Sequence, residues 1–84
     1  MAETYTNVSS HEGQVSGQVT VPLRFRVRRI SITNDHSSAD LKFKFNASSD
    51  WSTLRGLEQI SLKIMVRQVI LQGNSVDYRI LGVG

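Results

Sequence analysis

The stretch Ile60-Ser61-Leu62-Lys63-Ile64-Met65-Val66 places Ile60, Leu62, Ile64 and Val66 at every second position. That alternation lines one face of a strand and fits a helix poorly, because a helix repeats its apolar face about every 3.6 residues. The same period runs outward in both directions. Leu23, Phe25 and Val27 alternate with Arg24, Arg26 and Arg28, then Ile30 and Ile32 with Ser31 and Thr33. Leu41, Phe43 and Phe45 alternate with Lys42, Lys44 and Asn46, and Val76, Tyr78 and Ile80 with Asp77, Arg79 and Leu81.

The segments between these runs carry turn chemistry. Asn34-Asp35-His36-Ser37-Ser38, Ala47-Ser48-Ser49-Asp50 and Gly73-Asn74 read as turns, and Gly56 supplies a position where positive φ is tolerated. The slip from odd to even apolar positions at Arg28-Arg29 predicts a bulge or bend. Six or seven strands with frequent turns predict an all-β fold: one small antiparallel β-sandwich, jelly-roll or immunoglobulin-like.

Residues 1–22 read differently. They hold Glu3 and Glu12, no Lys or Arg, and end at Pro22, the only proline. Val15, Val19 and Val21 share one face of an extended segment. The expectation is an extended N-terminal arm at 1–22 joined to a sandwich body at 23–84, with the arm adding a strand to a neighbouring subunit through Val15, Val19 and Val21. On that reading, removal of residues 1–20 leaves a folded body.

At 84 residues the chain is one domain with a small core. Small cores usually gain support from disulfides, a metal or a partner. Cysteine is absent and there are only two histidines, which excludes disulfides and a four-ligand zinc site and points to association. No apolar run approaches the roughly 20 residues that cross a bilayer. The opening MAETYTNVSSHEG has no basic region followed by an apolar one, so a soluble chain made in the cytoplasm is expected. The two Asn-x-Ser sequons, at Asn7 and Asn46, are chance matches on that view.

No phosphate loop, dinucleotide fingerprint, zincin motif or nucleophile elbow occurs, so no catalytic residue and no cofactor is expected. Asp35-His36-Ser37 has the letters of a triad, but sequence neighbours cannot adopt its geometry, and a turn is the reading adopted. Asp35, Asp40 and Asp50 match no calcium loop. Trp51 is read as a core plug in preference to a sugar platform shared with Tyr5 and Tyr78. Net charge is +3, and all ten basic residues lie from Arg24 onward. Arg24, Arg26, Arg28 and Arg29 form a basic face, read first as solvated, next as a contact for the acidic arm of another subunit, and last as a nucleic-acid stripe strengthened by Lys42 and Lys44.

The body resembles the small virion structural proteins of tailed bacteriophages, which occur as capsid decoration (cement) proteins or as neck and tail accessory proteins. The resemblance lies in Ile30-Ser-Ile-Thr-Asn34-Asp35, Leu41-Lys-Phe-Lys-Phe45, residues 54–58 leading into Ile60-Ser-Leu62, Val69-Ile-Leu-Gln-Gly73, and Tyr78-Arg-Ile80. It covers about two thirds of the chain. It implies a non-enzymatic protein of the virion, foremost a capsid decoration protein that bridges and stabilises shell subunits through its arm and sandwich, with a neck or tail accessory protein as the alternative. The expected partners are the major capsid protein or other virion subunits and further copies of the chain in a homo-oligomer, with no membrane and with nucleic acid the least expected. The alternative, from the residues themselves, is a β-sandwich module that binds nucleic acid or carbohydrate.

Overall fold

The computed structural model describes residues 7–84. It contains six strands: β1 (Val8–Val27), β2 (Arg29–Asn34), β3 (Leu41–Lys44), β4 (Ser52–Leu54), β5 (Gln59–Leu62) and β6 (Val66–Val83). All pairings are antiparallel, and no helix occurs among the described residues. The all-β expectation holds, and the arrangement is a single six-stranded sheet curled into a half-barrel.

The organising strand is β6. β1 runs along one of its edges, from Val8 opposite Val83 to Pro22 opposite Gln68, and meets it again where Val27 faces Val66. The other edge of β6 is shared, with β2 on residues 78–83 and β3 on residues 70–72. β5 flanks β2, and β4 flanks β3.

The curl has a local cause. Val15 faces Val76 but Ser16 faces Asn74, which leaves Ser75 as an extra residue on β6. Ser75 takes φ 56°, and Gly17 on β1 takes φ 92°. A bulge of this kind bends a ladder and shifts its side-chain parity. Val69 and Leu71, at odd positions, therefore face the same core as Val76 and Ile80 at even ones. The two halves of the β1/β6 ribbon fold over that core, which also holds Val27, Ile30, Ile32, Leu41 and Phe43.

Several expectations change. The extended segment before residue 23 is not a free arm: β1 crosses the expected boundary at 22/23, and Val15 and Val21 are buried in the chain's own core. Residues 1–6 lie outside the described residues. A folded body without residues 1–20 is not what this structure supports, since that cut strips β6 of most of its longest partner. Gly73-Asn74 is no reversal, because β6 passes straight through it and the irregularity is the bulge at Ser75. The alternating run at 60–66 is divided: β5 stops at Leu62, and Val66 opens β6.

The positive φ near Gly56 falls on Leu57, at 63°. Gly56 has another reason to be small, as a Cβ there would lie 2.6 Å from the Ser37 carbonyl oxygen. Trp51 is half-buried and outside the buried cluster.

Candidate interaction surface

Antiparallel pairing uses only half of a strand's backbone groups on each side, so an unpaired edge offers a row of free N–H and C=O groups. β4 and β5 end the sheet with edges of 3 and 4 residues. β1 ends it on the third side with 20 residues, and among the described residues no strand pairs with its outer edge. Edge strands are commonly blunted by Lys or Pro. Residues 8–21 contain neither, nor Arg, and Glu12 is their one carboxylate.

Each side-chain face of β1 is distinct. Ser9, Val15, Val21 and Leu23 point into the core, while Ser10, Glu12, Gln14 and Gln18 are exposed. Val19 is the exception on the apolar side at 37% exposure. Of the three valines assigned to a partner, only Val19 is thus available, and what sequence reading missed is that β1 pairs along one side with its own β6, which leaves a single backbone edge open among the described residues. Buried Ser9 ties the curl together: its hydroxyl accepts from the Arg24 backbone N–H at 3.2 Å and bonds His11 Nε2 at 2.8 Å.

The basic residues are exposed at Arg24, Arg26, Arg28 and Arg29. Lys42 and Lys44 do not extend that group, because β6 separates β3 from β1, with Gln72 between Lys42 and Gln18. Lys44 Nζ sits 4.3 Å from the centre of the Trp51 ring, a cation–π contact that occupies the face a sugar would need. Glu12, exposed, stands opposite Arg79 on the same sheet, and Glu3, the other carboxylate of the expected acidic arm, lies outside the described residues.

The opposite end of the molecule is acidic and internally satisfied. Arg79 donates to Asp35 from Nε at 2.7 Å and from Nη2 at 3.0 Å. That hydrogen bonding, with the charges of Asp35 and Glu12, raises the guanidinium pKa above its ordinary value. Glu58 accepts from the Arg55 backbone N–H, and Asp77 from Gln14 Nε2 at 3.3 Å. His36 Nδ1 accepts backbone N–H groups of Ser38 and Ala39 at 3.1 and 2.9 Å, so it shapes the β2–β3 loop. No group of three His, Asp or Glu side chains able to hold a metal occurs among the described residues. A depression of about 250 Å³ on the outer face, lined by Ser10, Glu12, Ser31, Thr33, Gln59 and Arg79, falls below the range usual for ligand sites.

No family model matches the chain, and no curated protein does. Among the solved structures that share its shape are two of distinct origin. One is a protein of unknown function from Vibrio parahaemolyticus, 17% identical, TM-score 0.57, covering 98% of this chain and 80% of that one. The other is a de novo designed double-stranded β-helix, 10% identical, TM-score 0.56, covering 94% of this chain and all of that one. At such identities the likeness describes the fold, a sheet curled upon itself.

Proposed function

We propose that this chain is a non-enzymatic assembly protein, of the bacteriophage capsid-decoration kind that its sequence resembles, and that it binds neighbouring subunits by strand addition along β1. The reading keeps the sequence's sticking segment but changes its mode of action. The side chains of Val15 and Val21 hold β1 to its own core, and the outer backbone edge does the sticking. The carrying observation is that edge: long, unpaired among the described residues, and over residues 8–21 without the lysines and prolines that discourage pairing. Main-chain hydrogen bonds would supply affinity, and exposed Ser10, Gln14 and Gln18 the fit. In this reading the curled sheet serves as the compact sandwich-like body that stands on the particle. The Trp51 face taken by Lys44 counts against the carbohydrate alternative.

Pairing between copies is the simplest form of this behaviour and needs no other component. Sedimentation velocity on the full chain should show mass rising with concentration toward about 100 µM. Ser10→Lys, Gln14→Lys and Gln18→Lys, changed together at exposed positions, should leave a monomer of unchanged circular dichroism. A wild-type chain that stays monomeric, or a lysine variant that associates equally well, contradicts the edge as the contact.

A further inference from the structure

The curl sorts charge along the molecule in a way that chain order hides. Arg28 N–H donates to the Val83 carbonyl at 2.7 Å, and Arg29 pairs with Val83 across the β2/β6 ladder. Val27 faces Val66, so Arg26 and Arg67 each adjoin one member of that pair. Arg24 is tied by its backbone to Ser9, one residue along from Val8, which itself faces Val83. Five arginines therefore gather around one end of the half-barrel, and all are exposed. At the other end stand Asp35, Asp77 and Glu58, linked by the backbone bonds Asp35 N to Asp77 O and Asn34 N to Glu58 O.

Two kinds of partner suit an arginine cluster: a carboxylate surface or a phosphate backbone. The chain's own acidic end is a poor complement, because Asp35 is engaged twice by Arg79, and Glu58 and Asp77 accept local donors. None of the five arginines pairs with a carboxylate among the described residues. Arginine's planar fork matches phosphate oxygens in pairs, an advantage lysine lacks. Arg24 and Arg26 lie two residues apart on β1, about 6.6 Å along extended chain, and Arg28 follows at the bend into β2, so the three present charges in succession to a row of phosphates. Phe25, the aromatic between them, is half-buried against the core, so bases have no stacking platform.

We infer that this end, formed by Arg24, Arg26, Arg28, Arg29 and Arg67, binds the phosphate backbone of duplex nucleic acid without sequence preference. The site goes beyond the assembly role and does not depend on it, and it promotes the reading that the sequence ranked last.

The probe is a fluorescent DNA duplex of arbitrary sequence, titrated with the full chain by anisotropy at several salt concentrations. With about five phosphates neutralised, the slope of log affinity against log salt should be about −4.5, a loss of roughly 500-fold between about 50 and 200 mM. Arg24→Ser, Arg26→Ser and Arg28→Ser, changed together, should bring the slope to about −2 and weaken low-salt binding at least tenfold. Lys42→Ser with Arg55→Ser, basic residues outside the cluster, should change binding less than about threefold. Circular dichroism confirms that each variant is folded. Absence of binding at low salt, a flat salt response, an unchanged triple variant, or an equal loss in the control variant overturns the site. So does arginine-dependent self-association without DNA binding. Because the lysine-edge variant leaves these arginines intact, failure here is separable from failure of the β1 edge.

Discussion

Gly82 lies beneath Val27 so closely that a Cβ on Gly82 would stand 2.5 Å from Val27 Cγ1. Val27 ends β1 and Gly82 falls near the end of β6, so this contact is where the folded-over ribbon closes on itself. Overpacking a filled core costs about 1–3 kcal/mol. Gly82→Ala should therefore lower stability by that order, and pairing it with Val27→Ala should recover part of the loss. Urea unfolding of the two single variants and the double variant measures the coupling. Additive losses would mean that the two residues do not meet.

Asn34 is fully buried and uses its whole amide. Nδ2 donates to the Ala39 and Leu54 carbonyls at 2.7 and 3.0 Å, and Oδ1 accepts the His36 N–H at 2.9 Å. It thereby staples the β2–β3 loop to the end of β4. Asn34→Ala leaves these groups without partners and should cost about 2–4 kcal/mol. For a domain of this size the melting temperature should fall by roughly 10–20 °C. Asn34→Asp should be at least as harmful at neutral pH, because a carboxylate cannot donate to two carbonyls. Its folded-state pKa should be raised, so its stability should recover as pH falls and the acid protonates, whereas Asn34→Ala gains nothing by this route.

Leu57 combines φ 63° with 67% exposure, so it bears left-handed strain without the return of burial. Its N–H donates to the His36 carbonyl at 3.0 Å, a bond that any residue but proline keeps. Leu57→Gly should raise stability by about 0.5–1 kcal/mol, seen as a higher urea midpoint with unchanged slope. A loss of stability would show that the leucine side chain has a role this structure does not display.

These residues also mark how far the sequence could be read. Alternation at 23–27, 30–32 and 41–45 named the core face correctly, because each strand's period is local and Leu23, Val27, Ile30, Ile32, Leu41 and Phe43 are all buried. The bend at Arg28-Arg29 was legible for the same reason, as β1 ends at Val27 and β2 begins at Arg29. The mate of β1 was not legible. Val15 meets Val76 across more than half the chain, and no local signal distinguishes an arm awaiting a neighbour from a strand paired within its own sheet. The single extra residue Ser75 reversed the parity of β6, which made Gly73-Asn74 look like a hairpin turn. Charge misled similarly: read along the chain it divides into an acidic arm and a basic body, whereas the curl gathers arginines from β1, β2 and β6 at one end.

Residue-resolved amide hydrogen exchange on monomeric chain tests the central claim most directly, since that claim concerns which β1 backbone groups are bonded. With β1 laddered to β6 on one side and open on the other, every second amide across residues 8–22 should be protected, with its neighbours exchanging freely. Those free amides should become protected as the protein associates. Uniformly fast exchange along the whole segment, or protection of both sets in the monomer, would contradict the account.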